Sequence, residues 1–260
     1  MKKTLRSLYL VSLASFLFLS FLPIVHANTE VSYLTPIGKA IDVHGNVMGT
    51  LGNGETKNIA QEGIIFMGEK LETGEDGHVL IKLEDDTSLS LGPNGSFVID
   101  HFVYSPLPKH GELGAKITQG IFRFITGKIA QQNPDKVNVE LPAGTMGVRG
   151  TTVLGEITLL RSMIVLGLSE GESPTGHDVI LSNLVGGKLE EVHLTRVGFG
   201  ATIEGDNQAP SQPFQVSEKE MKRLIAGLAF EADTKENSKP DAKHRKRKKD
   251  ESPKVFQRIE

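Results

Sequence analysis

The chain has 260 residues, 29 Lys and Arg against 32 Asp and Glu, and no cysteine. Without cysteine there can be no disulfide, so stability has to come from an ordinary hydrophobic core. Residues 28–234 hold sixteen basic against twenty-seven acidic side chains and residues 235–260 ten against five, and a body this acidic excludes nucleic acid as the main partner, because phosphate binding needs a basic surface.

Met1 to Ala27 reads as an export signal. Lys2, Lys3 and Arg6 form a positive region, Leu8 to Leu22 is an apolar run, and Val25-His26-Ala27 is a small-residue cleavage site. The expectation is cleavage after Ala27 and a mature chain that starts at Asn28, periplasmic or secreted. The alternative is an uncleaved anchor, since the apolar stretch approaches the ~18–20 residues of a membrane span. The helix-breaking Pro23 and the small Ala27 speak for cleavage.

Residues 28–205 read as one all-β domain. Val79, Ile81 and Leu83 alternate with Leu80, Lys82 and Glu84, the period of a strand with one buried face. Thr87 to Leu91 repeats the alternation after a polar turn at Glu84-Asp85-Asp86-Thr87. Ile121 to Ile125, Lys136 to Leu141, Met163 to Leu166 and Val179 to Leu181 continue it, and Val192, Leu194 and Val197 suggest a last pair. Turn pairs recur between them, such as Gly45-Asn46, Asp76-Gly77, Asn94-Gly95 and Gly186-Gly187. Short strands between regular turn signals predict an all-β sandwich, barrel or solenoid-like stack, with the sandwich and the stack preferred.

Residues 206–216 read as a proline-containing linker and 217–233 as a helix. Ser217 and Glu220 form an S-x-x-E capping box, and Met221, Leu224, Ile225 and Leu228 fall at helical spacing. That stripe is a docking face against the β domain or, in the sharper reading, a partner-binding helix. Residues 234–260 are expected to be a disordered basic tail, because dense charge with few apolar groups cannot offset the entropy of ordering. The run Lys243 to Lys249 could contact anionic lipid or polysaccharide electrostatically.

Gly68-Glu69-Lys70-Leu71-Glu72-Thr73-Gly74 is followed by an alternating strand, an acidic turn and a second strand ending at Leu91-Gly92-Pro93. Gly120-Ile121-Phe122-Arg123-Phe124 and Gly127-Lys128 come next. Pro142-Ala143-Gly144-Thr145-Met146-Gly147-Val148-Arg149-Gly150-Thr151 closes the series. Together these stretches, over residues 68–155, resemble the FecR-protein domain family. The resemblance implies an all-β extracytoplasmic module without catalytic activity. The best-known members are membrane regulators whose outer part senses an iron-transport signal and whose cytoplasmic segment controls a sigma factor. This sequence shows no such segment and no retained span, so the expectation is the exported module alone, binding or sensing through an unidentified protein or envelope component.

Arg149, Gly147, Gly150 and Thr151 are the candidate binding residues. Glycines at 144, 147 and 150 point to unusual backbone conformations or a close strand approach. Arg149 is expected to be a buried or half-buried fork bonded to carbonyls or an acidic neighbour, its functional alternative being an anion or partner contact. Its removal is accordingly expected to harm folding more than any activity.

No cofactor or metal is expected. The histidines lack zinc spacing, and Gly127-Lys128 has no glycine five residues earlier, so it is no phosphate loop. Gly167-Leu168-Ser169-Glu170-Gly171 matches G-x-S-x-G, but Ser173-Pro174-Thr175-Gly176 follows it rather than a helix. The leading expectation is therefore a non-catalytic binding or signal-sensing module. An exported hydrolase using Ser169 and an envelope-associated structural protein are the alternatives.

Overall fold

The structure is a computed structural model and describes residues 34–105, 110–167 and 177–229. Alternation builds it. In β6 (His78–Leu83) Val79, Ile81 and Leu83 are buried and the residues between them are not. One face of each such strand needs an apolar partner, and two layers of strands satisfy each other.

The first layer runs β4 (Ile64–Phe66), β1 (Pro36–His44), β6, β7 (Ser88–Leu91), the second half of β9 (Gly111–Ile125), β12 (Thr152–Ile157), β13 (Ser162–Leu166), β16 (Phe199–Ile203) and β17 (Phe214–Gln215), antiparallel throughout. The second runs β3 (Thr56–Asn58), β2 (Val47–Thr50), β5 (Lys70–Thr73), β8 (Ser96–Tyr104), the first half of β9, β10 (Val137–Glu140), β11 (Thr145–Arg149), β14 (Asp178–Val185) and β15 (Lys188–Leu194). Only β9 and β10 pair in parallel among these. The architecture is therefore an open two-layer all-β sandwich, one of the all-β forms that the alternation and turn spacing predict, with no barrel closure among the described residues.

β9 belongs to both layers, which join into one hydrogen-bonded network through it. It crosses at Gly120, where φ is +102° and a Cβ would lie 2.5 Å from Gly95 Cα. Only glycine fits that conformation and that space. The two layers enclose one core, in which Phe97 and Ile117 of the second layer share a cluster with Leu89, Phe122 and Phe124 of the first.

Four elements differ from expectation. β9 begins at Gly111, ten residues before the predicted Ile121, with Leu113, Ala115 and Ile117 buried in alternation. A short helix α1 (Lys128–Gln132) and a 3₁₀ turn (Pro134–Lys136) sit where no helix is predicted. The expected linker contributes β17, whose two residues pair with β16.

The C-terminal helix α2 spans Glu218–Ala226. Ser217 is its N-cap, its Oγ accepting from the Glu220 N–H at 3.2 Å. The Glu220 carboxylate accepts from Arg223. Met221, Leu224 and Leu228 pack with Ile121, Leu154, Met163, Val165 and Val216 on the outer face of the first layer. The stripe is thus a docking face, with Ile225 left out of it at 54% exposure. The expected tail (234–260), the export signal (1–27) and Ser169 lie outside the described residues. Among the described residues no helix is long and apolar enough to cross a membrane.

Arg223 clamps α2 to the sheet by donating to both oxygens of Glu156 at 2.7 Å each. The guanidinium holds the Glu156 and Glu220 carboxyls below the ordinary value of 4.5. A depressed carboxylate stabilises the fold fully above its unfolded value and loses that contribution as pH falls through the folded one. Protection of the α2 amides, taken relative to their intrinsic exchange rates, is therefore expected to fall below pH 4.5 before protection in β12 and β13 does. Equal loss of protection in helix and sheet would show that the clamp does not hold α2.

Candidate functional site

The stretch Pro142 to Thr151 carries the chain out of a hairpin and from one layer to the other. Leu141 N–H donates to Gly144 O at 3.0 Å and closes the β10–β11 turn. Gly144 has φ +90°, and a Cβ there would lie 2.2 Å from Ser182 O of β14. Both the turn and the approach of β14 require glycine at this position.

Along β11 the pleat sorts the side chains. Met146 and Val148 are fully buried in the core, so Thr145, Gly147 and Arg149 face outward. Gly147 lies between Asn138 of β10 and Ile180 of β14. A Cβ at Gly147 would meet only Ile180 Cβ, at 3.9 Å. The close strand approach expected at Gly147 is therefore not found. The missing side chain instead leaves a depression of about 220 Å³ on the outer face, bordered by Asp135, Asn138, Thr145, Arg149, Ile180 and Ser182. A second depression adjoins it through Asn138, Thr145 and Ser182, and reaches Leu184, Leu189 and Asn207.

Arg149 stands at the end of this face. Its side chain is 44% exposed, donates to Asp135 Oδ1 at 2.9 Å, and lies 3.6 Å from Asp178 Oδ2. The acidic neighbour is as expected, but the burial is not. Alternation from the buried Met146 and Val148 puts Arg149 outside. His193 Nδ1 lies 2.9 Å from Asp178 Oδ1, and its Nε2 3.7 Å from Glu191. The result is a surface chain of contacting polar side chains, Asp135–Arg149–Asp178–His193–Glu191. An exposed pair of this kind contributes about 0–1 kcal/mol. Arg149→Ala is therefore expected to leave the melting temperature close to that of the parent, reversing the expectation from a buried arginine. A large drop on melting would restore the folding role.

Gly150 and Thr151 serve the crossing between layers. Gly150 takes φ +59°, and its carbonyl oxygen lies 3.3 Å from His177 Nδ1. Thr151 is fully buried, and its carbonyl accepts from the Thr126 N–H and hydroxyl at 3.3 and 3.2 Å. Of the candidate residues, Gly147 and Arg149 border the outer depression, and Thr151 has no surface to offer a partner.

The acidic turn holds a second polar centre, one that charge alone did not reveal. Asp85 is fully buried. Its carboxylate accepts from the Thr87 N–H (3.0 Å), the Thr87 hydroxyl (2.8 Å) and the Ile129 N–H (3.3 Å). Its carbonyl accepts from the Lys128 N–H at 2.7 Å, and the Gly127 N–H donates to Thr87 Oγ1 at 3.0 Å. The β6–β7 turn thus supplies from a distance the cap that α1 lacks locally. Next to it, Lys128 and Lys82 hold the Asp86 carboxyl down at about 2. Near the chain start, Glu69 is fully buried in its side chain; it accepts from the Phe66 N–H at 3.0 Å and pairs with Lys57 Nζ at 3.1 Å. Lys57 also stands 4.6 Å over the Phe66 ring and donates to Ile64 O.

Among the described residues no group of three or more His, Asp or Glu is arranged to hold a metal ion. Asp42 and His44 share a strand face and pair at 3.1 Å.

The motif stretches, the acidic turn and the crossing strand form one continuous block of sequence. Residues 69–172 match the FecR protein family. The FecR match starts one residue after the predicted Gly68 and runs past the predicted Gly155. It takes in the buried Glu69, the Asp85 turn, the β9 crossing and the Gly147–Arg149 face. Two crystal structures of a protein from Parabacteroides distasonis, provisionally assigned as an anti-sigma factor, are similar to this chain at 10% identity, with TM-scores of 0.42 and 0.43. The alignments cover 60% of this chain and 63% and 64% of those chains, so this chain spans less than two thirds of their length. Comparison with curated proteins gives no significant match.

Proposed function

We propose that the chain is a non-catalytic, extracytoplasmic signal-sensing module that recognises a protein partner on the outer face around Gly147 and Arg149. The FecR match supports a regulatory, non-catalytic module, and the three-part start of the sequence supports export. The observation that carries the site is the depression left by Gly147. It is bordered by Asn138, Thr145 and Ser182 and ends on the charged Asp135–Arg149–Asp178 group. Open strand faces with a shaped recess and a charged rim suit a protein surface, with the rim setting orientation and the recess taking a side chain.

A photo-crosslinking side chain at Asn138 tests the site in cells. It is expected to trap a discrete partner band that is absent when the same group is placed at Lys39, on the other layer. Gly147→Leu, which fills the recess from outside, is expected to abolish the band without lowering the melting temperature. Crosslinking that persists at full strength in Gly147→Leu would remove the recess from the interface.

Export has its own test. N-terminal sequencing of the protein recovered from its native cells is expected to begin at Asn28. Recovery of a chain that begins at Met1 would leave the module anchored or unexported.

A further inference from the structure

The β12–β13 hairpin ends in the turn Thr158-Leu159-Leu160-Arg161. Thr158 N–H donates to Arg161 O at 2.9 Å, and Arg161 N–H donates to Thr158 Oγ1 at 3.1 Å. The turn is therefore closed by its own backbone and one hydroxyl, and its tip carries only two leucines. Leu159 is 94% exposed and Leu160 75%. This is the opposite of what a hydrophobic side chain gains from folding.

Leu184 and Leu189 lie at the same end of the sandwich. They pair across β14 and β15 and are 62% and 56% exposed. The strand registers place them together. Ile157 pairs with Ser162 and Ser162 with Ile203 in the first layer, while Thr145 pairs with Ser182 in the second. A Cβ at Gly144, next to Thr145, would lie 2.8 Å from Ile203 Cδ1, so the two layer ends abut there.

We propose that this end of the molecule docks on a lipid bilayer, with Leu159 and Leu160 inserted among the acyl chains. The tip is a protrusion, not a groove. A protein partner would need a matching socket, whereas a bilayer accepts a convex apolar tip of any shape. Two leucines alone give weak, reversible attachment, and stable residence takes a second attraction. The sequence supplies one in the run Lys243 to Lys249, with six Lys and Arg, which favours anionic headgroups. The acidic body is repelled by the same headgroups, so contact is end-on rather than flat. The tip itself belongs to the first layer, whereas the Gly147 recess lies on the second.

The chain contains no tryptophan, so a Leu160→Trp variant carries a unique reporter at the tip. The mature chain, from Asn28 to the C-terminus, is mixed with vesicles of phosphatidylcholine and phosphatidylglycerol, and emission is read with and without acyl-brominated lipid. The expected result is a blue shift and strong quenching by the brominated lipid, with an Ile225→Trp control on α2 neither shifted nor quenched. A Leu159→Ser/Leu160→Ser variant is expected to bind vesicles at least tenfold more weakly. Raised salt is expected to weaken binding of the parent chain as well. If the chain sediments with vesicles but the indole at 160 stays unshifted, another segment holds it and the proposal fails. The proposal also fails if neither shift nor sedimentation occurs, or if the indole shifts only with protein concentration and without lipid, which would assign the tip to a second copy of the chain.

Discussion

Asp85→Ala is expected to lower the stability of the sandwich by about 3–5 kcal/mol, since stranding a buried hydrogen-bonding group costs ~1–3 kcal/mol and the carboxylate serves three. The donors left behind are the Thr87 N–H, the Thr87 hydroxyl and the Ile129 N–H. Thr87 is 2% exposed and Ile129 1%, so water cannot replace the lost acceptor without opening the structure. The damage spreads beyond the turn, because Asp85 and Thr87 together hold the first residues of α1 to the β6–β7 hairpin. In a domain of this size each kcal/mol shifts the melting temperature by about 2–4 °C, so a fall on the order of 10 °C is expected. Asp85→Asn keeps an oxygen for the Thr87 N–H and is expected to fall by clearly less. If Ala and Asn at this position melt together, close to the parent, the carboxylate is not the cap described here. Circular dichroism melts of the three proteins at one pH above 6 decide the matter.

Phe122→Ala is expected to cost a similar amount, about 3–5 kcal/mol, by opening a cavity where β9 has just entered the first layer. Phe122 is fully buried and pairs across β12 with Gly155. The two residues share one volume. A Cβ on Gly155 would lie 2.4 Å from Phe122 Cε1 and 2.9 Å from Met163 O. Gly155→Ala alone is therefore expected to destabilise by overpacking, about 1–3 kcal/mol. In the Phe122→Ala background the ring is gone, and the added methyl meets fewer atoms. The double variant is expected to be more stable than the sum of the single losses predicts, which is the signature of two residues that compete for one space. Additive losses in a double-mutant cycle would mean that the clash at 155 comes from the Met163 backbone and not from the ring.

Much of the strand content was legible from local pattern. Val79-Ile81-Leu83 and Lys136 to Leu141 show their period of two in the sequence, and the strands fall there. The Ser217 cap was equally visible, because an N-cap depends only on residues within one turn of the helix. The first half of β9 carried a readable signal in Leu113, Ala115 and Ile117, diluted by Gly111, Gly114 and a small alanine. Arg149 could also have been placed outside by counting one residue on from Val148. The glycines on either side suggested crowding, although only Gly144 is crowded and Gly147 opens onto solvent.

By itself the sequence determined the elements with short-range causes: alternating strands, glycine turns, a capped helix with an apolar stripe and an acidic body. It also carried the ordered motifs that the FecR match spans. Which strands lie side by side was decided only by the tertiary structure. β9 joins β10 in one layer and β7 and β12 in the other, pairings that close loops of many residues and leave no local trace. The same holds for the sites. Asp85 becomes a helix cap because α1 arrives more than forty residues later in the chain, and Gly147 becomes a recess because β10 and β14 flank it. Burial and neighbourhood are properties of the assembled layers, and a run of side chains fixes its own period but not what will be packed against it.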